Sequence, residues 1–306
     1  MDEGRKWLKT TDTITFDVAH GIARITLNRP EKRNALSMKM LRELHSAFLE
    51  ADDRVDVNVI LLTGAGKDFC AGYDLSDGYG GGGREACEQH EASIYRSGTA
   101  RLDDDIWALE RQQDFMSIMF DLHKPIIACI KGNCLAGGTD LAFSCDLILA
   151  ADDARIGFPA ARANGTPPNN FWVYHCGPQW TKRMLFTGDT VSGLDAACLG
   201  LVLESYPAER IDAEVDQLAH RIAAVDAEIL ATHKRVVNRQ LELAGARTSQ
   251  RFAVEQDACA HLSTGPRRTQ FRKDVAEGGL RDALKNRDAP FGDGKVVLRA
   301  RTLGHR

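Results

Sequence analysis

Two short runs set bare backbone beside groups that handle charge: FCAGYDL at residues 69–75 and CLAGGTDL at 134–141. In each, small residues follow an apolar stretch. Glycine lets a second group approach the main chain closely and leaves N–H groups free to point at it. Two such donors aimed at one point would hold a developing oxyanion, each contributing on the order of 3 kcal/mol. The second run also carries Asp140, at the opening of an otherwise apolar helix. Its plain role is a helix N-terminal charge, favourable by roughly 0.3–1 kcal/mol. Its chemical role is to move a proton while nearby amides hold the charge.

The elements around these runs must bring them together. GIARITLNRP (21–30) alternates as a half-buried strand and stops at Pro30. Ser37 opens a helix whose apolar face, Leu41, Leu44, Phe48 and Leu49, continues through Asp52. VNVILLTGAG (57–66) is a nearly continuous apolar run closed by glycines, which suits a strand covered on both faces. KPIIACIKGNCL (124–135) and CDLILAADDARIGF (145–158) repeat that form, with a helix opened by Gly137-Gly138 between them. This rhythm predicts an α/β layer of ββα or βαβ units. TKRMLFTGD, SGLDAACLGLV and residues 212–243 read as helices, so the last third is mostly helical. Residues 74–105, with four consecutive glycines among polar neighbours, break the order and predict a mobile lid. A phosphate cradle fits less well there, because no GK[ST] ending follows.

A chain of 306 residues allows one large domain or a core with an appendage. A net charge of −4 and a pI near 6.2 argue against a nucleic-acid partner. The basic run Arg267, Arg268 and Arg272 is diluted by Asp274 and Glu277. The charged N-terminal segment and the lack of a long apolar window predict a cytoplasmic protein with no membrane partner. Cys70, Cys87, Cys129, Cys134, Cys145, Cys176, Cys198 and Cys259 form no CxxC pair and read as reduced, mostly buried thiols. No metal site is predicted.

Three motifs, ITLNRPEKRNALSMKM, LLTGAGKDFCAGYDL and IACIKGNCLAGGTDLAFSCDLILAADDARIGFP, together resemble the crotonase (enoyl-CoA hydratase/isomerase) superfamily. The likeness runs from Ile25 to RDAPFGD at 287–293, outside an insertion near residues 76–115. It implies a crotonase-like spiral of ββα repeats over residues 1–205, with 76–115 as a variable, lid-like insertion. It also implies a helical C-terminal trimerisation region over 206–306, and a homotrimer or dimer of trimers. The substrate implied is an acyl-CoA thioester, with coenzyme A part of the substrate and no tightly bound cofactor.

The resemblance sets the thioester carbonyl between the backbone N–H groups of Tyr73 and Gly137, with Asp140 at the position of the family's first catalytic glutamate. It puts Arg29, Lys32, Arg33 and Ala35 against the CoA adenine and phosphates, partly through backbone, with Ala71, Asp74 and Leu75 on the same side. Lys32 and Arg33 read equally as ordinary turn charges. Asp146 resembles a structural aspartate of the family, buried and hydrogen-bonded, and His123 and His175 fall outside the chemistry.

The chain departs from the family at the second glutamate, where IGFPAAR (156–162) carries Ala160. Hydration needs a water held between two proton-handling groups. Asp140 is then the lone acid/base of a hydratase, an isomerase or a C–C hydrolase, and an acyl-CoA-binding protein without turnover is the alternative from another class. ARANGTPPNNFWVYH (161–175) replaces the segment that shapes the acyl site, so Pro168, Asn169 and Trp172 are expected to line the substrate pocket. Arg162 either grips a carboxylate on the acyl chain or pairs internally with Asp152 or Asp153.

Overall fold

A computed structural model describes residues 4–75, 94, 96 and 101–298. Ile14–Ala19 (β1) and Ile22–Leu27 (β2) form an antiparallel hairpin. His20 and Gly21, both at positive φ, make its turn, a backbone that matches the twist of the flanking strands. Val59–Gly64 (β3), Ile126–Ile130 (β4), Leu147–Ala151 (β6) and Glu204–Tyr206 (β9) then add in parallel, in the order β1-β2-β3-β4-β6-β9. β4 is buried at every position, as its unbroken apolar run requires.

The two long apolar runs are not single strands. Residues 124–135 divide into β4 and Asn133–Leu135 (β5), and 145–158 into β6 and Arg155–Gly157 (β7). The first break falls at Gly132, with φ 57° and no room for a side chain: a Cβ there would lie 2.1 Å from the Lys67 carbonyl. After each break the chain enters a second sheet, ordered β10-β8-β7-β5, with Thr190–Ser192 as β8 and Lys295–Val296 as β10. This repeated step from sheet to sheet is the α/β architecture expected.

Ser37 caps Met38–Asp53 (α1) by accepting from the Met40 N–H at 3.2 Å, and Leu41, Leu44, Ala47 and Phe48 turn into the core. Leu102–Ser117 (α2) lies inside the stretch expected to be an insertion. It is a helix packed against α1 and against Ala246–His261 (α8). The four-glycine run lies outside the described residues. Gly137–Phe143 (α3) is buried throughout. Trp172–Thr187 (α4) bends at Gly177 before Pro178, and Gly193–Cys198 (α5) follows β8. The expected helical stretch at 212–243 is two helices, Ile211–Ala223 (α6) and Ala227–Leu243 (α7). Pro266–Asp288 (α9) completes a helical C-terminal region that also contributes β10. Among the described residues no helix is long and apolar enough to cross a membrane.

Candidate active site

The turns after β3 and around β5 lie side by side. The Cys70 N–H donates to the Asn133 carbonyl, and the Leu135 N–H donates to the Cys70 carbonyl, both at 2.9 Å. Asp68 Oδ1 clamps them by accepting from the Asn133 N–H at 2.9 Å and from Nδ2 at 2.6 Å. A third loop is tied in by Asn34, which is buried at φ 55°. Its Oδ1 accepts from the Arg29 N–H at 2.9 Å, while Nδ2 donates to the Ala65 and Asp68 carbonyls at 3.0 and 2.7 Å.

These contacts decide which way the key amides face. The Leu36 N–H donates to the Gly72 carbonyl at 2.8 Å, so the N–H of that same peptide, Tyr73, points away from Leu36. On the other turn, Gly137 opens α3 and has no carbonyl four residues back within the helix. Among the described residues no acceptor faces the Tyr73 or the Gly137 N–H. Ala136, between β5 and α3, holds φ 48° and ψ −122°, a strained backbone for a non-glycine residue. Its conformation is held by its N–H bond to the Gly157 carbonyl at 3.0 Å and by the Thr139 hydroxyl, which donates to the Ala136 carbonyl at 2.6 Å.

Asp140, on α3, is wholly buried. The Tyr73 hydroxyl donates to its Oδ2 at 2.9 Å, and its Oδ1 is buried with no hydrogen-bond partner. Burial pushes the carboxyl well above the usual aspartate range; the Tyr73 bond pulls it down and the charge of Asp257 pushes it further up. Tyr73 is itself raised, by burial first and then by the Asp140 charge. Its ring lies flat on the second turn: a Cβ on Gly137 would sit 2.8 Å from two ring carbons. The sequence reading assigned Tyr73 only its amide. The side-chain partnership with Asp140 spans 67 positions and left no local signal.

The remaining predicted residues divide. Arg29, Ala35 and Asp74 come together: the guanidinium donates to the Ala35 carbonyl at 2.8 Å and pairs with Asp74 Oδ2 at 2.9 Å. Lys32 and Arg33 are exposed, Leu75 is half-buried, and the Ala71 N–H donates to the Arg33 carbonyl at 3.0 Å. Pro168 is buried and its carbonyl accepts from Gln113 Nε2 at 2.7 Å. Asn169, also buried, lines a cavity of about 130 Å³ with Gln113, Met116, Ser144, Phe171 and Gln250. Trp172 stacks edge-on against Phe143 at 4.8 Å, with its Nε1 buried and unpartnered.

Arg162 corrects both readings offered for it. Its side chain is 3% exposed and pairs with Asp189 and Asp288, each at 3.1 Å, not with Asp152 or Asp153. Nε donates to the Thr187 carbonyl at 2.9 Å, and the guanidinium sits 4.2 Å over the Phe291 ring. No face remains for a substrate carboxylate. Asp146 is hydrogen-bonded as expected, to the Ile126 N–H at 2.7 Å and Lys234 Nζ at 2.8 Å, but its side chain is 21% exposed. His123 is exposed beside Arg235, and His175 Nε2 lies 3.2 Å from the Phe143 carbonyl.

Comparison with known proteins adds a second line of observation. The enoyl-CoA hydratase/isomerase family model matches residues 17–268. A hydroxycinnamoyl-CoA hydratase-lyase of Pseudomonas fluorescens is 29% identical over 270 residues, 85% of this chain and 91% of its own. An enoyl-CoA hydratase structure from Mycobacterium smegmatis aligns with a TM-score of 0.82 at 35% identity, covering 92% of this chain and 95% of that one. An enoyl-CoA hydratase/isomerase structure from Xanthobacter autotrophicus Py2 aligns with a TM-score of 0.81 at 32% identity, covering 92% and 99%.

Proposed function

From the premise that the chain belongs to the enoyl-CoA hydratase/isomerase family and is a hydratase/isomerase-type enzyme, we propose that it polarises an acyl-CoA thioester between the Tyr73 and Gly137 amides while Asp140 moves the α-proton. One observation carries the reading: the Tyr73–Asp140 hydrogen bond lies against Gly137, beside two N–H groups that the fold leaves without acceptors. A thioester carbonyl gains negative charge when its α-carbon loses a proton or its β-carbon gains a nucleophile. Donors already fixed in place stabilise that charge without reorganising. Burial favours the neutral form of Asp140, and in that form it is the acid that returns a proton to the α-carbon; its ionised form takes one away.

The cofactor side of the reading rests on Arg29, Lys32, Arg33, Ala35, Ala71, Asp74 and Leu75. Lys32 and Arg33 stand exposed at the rim as cations for phosphates, while Arg29 and Asp74 brace the loop behind them. Pro168, Asn169 and Trp172 are assigned to the acyl side. The exposed Val236, Val237, Leu243 and Phe252 on α7 and α8 fit an assembly of several copies, a homotrimer or dimer of trimers.

Ala160 favours a second reading, double-bond isomerisation. One carboxyl can remove a proton and return it at another carbon, so isomerisation needs no second acid. A panel of CoA thioesters in D₂O tests the common step. Deuterium is expected at the α-carbon with the wild type, and its loss in Asp140→Asn with thioester affinity retained. A wild type that exchanges no α-proton on any thioester tested overturns the proposal.

A further inference from the structure

We propose that Asp257, supported by His261 and Asp105, is the second proton-handling carboxylate that position 160 lacks, and that it activates the water in an enoyl-thioester hydration. The inference rests on the acyl-CoA reading above and adds residues from outside the family motifs. Asp257 and His261 stand one turn apart on α8, and Asp105 faces them from α2. His261 Nδ1 is 2.9 Å from Asp105 Oδ2, and its Nε2 is 3.7 Å from Asp257 Oδ1. The result is an imidazole held between two buried carboxylates.

The cluster sits against the turn that carries Ala160. The Asn164 and Gly165 N–H groups both donate to the Ala160 carbonyl, at 2.7 and 3.3 Å. The next N–H, of Thr166, donates to Asp257 Oδ1 at 2.8 Å. Gly165 is pressed onto the carboxylate so closely that a Cβ there would lie 2.1 Å from Asp257 Oδ1. From α9, Arg268 holds the same turn through the Ala163 and Asn164 carbonyls at 2.9 and 2.5 Å, and donates to the His261 carbonyl at 3.0 Å.

Charge links the cluster to the candidate site. The Asp257 carboxylate contributes to the upward shift of both Asp140 and Tyr73. The groups that face Asp257 are His261, Asp105, Arg268, the Thr166 N–H, Asp140 and Tyr73. Burial pushes Asp257 up to about 6, against the downward pull of His261, the Thr166 N–H and Arg268. Burial pulls His261 down, but its bond to Asp105 and the two neighbouring carboxylates outweigh that and hold it above its ordinary value. Asp257 has His261, Arg268 and the Thr166 N–H to favour its ionised form, whereas only the Tyr73 hydroxyl opposes the rise at Asp140 and the Asp257 charge adds to it. Two carboxyls whose surroundings drive them apart in this way divide naturally into base and acid.

The chemistry balances. Asp257 takes a proton from water as the water oxygen bonds to the β-carbon. The Cα=Cβ electron pair moves toward the thioester oxygen, held by the Tyr73 and Gly137 amides. The enolate collapses as Asp140 gives its proton to the α-carbon, leaving a 3-hydroxyacyl thioester. Solvent then carries a proton from Asp257 back to Asp140.

The test compares two reactions of the full-length protein: hydration of crotonyl-CoA, followed by loss of its enoyl-thioester absorbance, and α-exchange of butyryl-CoA in D₂O. Asp257→Asn is expected to slow hydration about a hundredfold near neutral pH. Exchange, which needs only Asp140, should stay within about threefold. The wild-type hydration rate should fall as pH drops through about 6. His261→Gln should move that limb to higher pH, because His261 holds Asp257 down.

Hydration unaffected by Asp257→Asn, or hydration and exchange lost in parallel, overturns the proposal; parallel loss is what a structural role gives. If Asp257→Asn fails to fold, His261→Gln decides, and an unmoved limb overturns it. A wild type that exchanges but hydrates nothing overturns this inference alone. One that does neither removes the acyl-CoA reading with it.

Discussion

Asp140 and Asp146 lie six residues apart in one chain segment, and the fold treats them in opposite ways. Asp146 is met by the ammonium of Lys234 at 2.8 Å and the Ile126 N–H at 2.7 Å, and keeps some contact with solvent. Asp140 is sealed, with one phenolic hydroxyl on Oδ2 and nothing on Oδ1. Burial raises both carboxyls, but a cation opposes the rise only at Asp146. A carboxylate that fixes architecture is given a countercharge. One whose environment withholds a countercharge is poised to change protonation state, which is what proton chemistry needs.

The largest effect that sharpens this contrast is on stability. Lys234 is 4% exposed at its side chain and donates to the Met119 and Lys124 carbonyls as well as to Asp146. Lys234→Met strands all three acceptors and is expected to cost about 3 kcal/mol or more. Urea denaturation measures the loss, and adding Asp146→Asn should recover part of it. A loss confined to activity, with stability intact, would place Asp146 in the chemistry and erase the distinction.

Asp140→Asn should act in the reverse sense. The folded protein holds the Asp140 proton to higher pH than the unfolded chain does, so the native state binds more protons in that window. Stability conferred by this group is complete below the unfolded value and is lost as pH rises toward the folded one. The asparagine variant escapes that loss. Its stability advantage over the wild type should widen from near pH 4 upward, by up to about 1.4 kcal/mol per pH unit. Parallel stability curves for the two proteins would show that Asp140 ionises without penalty and is not sealed.

How much of this was legible in the chain depends on distance along it. The Ser37 cap, the apolar strands and the two glycine turns are local patterns, and each appears where its residues imply. The split of 124–135 into two strands was hidden because both halves are apolar; only Gly132, pressed against the Lys67 carbonyl, marks the break. Asp140 was visible from its place after the paired glycines. Its partner was not, because the Tyr73 ring crosses to it from a turn 67 residues earlier. The Asp105–His261–Asp257 cluster was invisible for the same reason, since α2 and α8 meet only after folding.

Arg162 shows how a charged residue in the right motif can still mislead. The sequence left its guanidinium to a substrate carboxylate or to Asp152 or Asp153, and the fold spends it instead on Asp189 and Asp288. Both carboxylates have other cations, Arg183 at 2.8 Å and Arg287 at 2.9 Å, so Arg162→Met leaves no lone buried charge. The expected loss is therefore only about 2 kcal/mol, mostly the bonds to buried oxygen acceptors and the packing over Phe291. The KM for any CoA thioester should not change. A raised KM for thioesters bearing a second carboxylate, with stability intact, would restore the substrate-binding role.

Tyr73→Phe gives the smallest expected effect and asks the finest question. The substitution keeps the backbone N–H proposed to hold the thioester oxygen and keeps the ring packed on Gly137. It deletes only the hydroxyl that donates to Asp140 Oδ2. One neutral hydrogen bond is worth about 1 kcal/mol net, so turnover should fall about fivefold to tenfold. KM should hold, because binding through the amides is untouched. The hydroxyl also pulls the Asp140 carboxyl down, so its removal must raise that group, and any rate limb set by Asp140 should move to higher pH. A lower rate with an unmoved limb would mean the hydroxyl merely positions the carboxyl. A limb that moves shows that the same bond tunes when Asp140 gives up its proton, as the Lys234 ammonium does for Asp146.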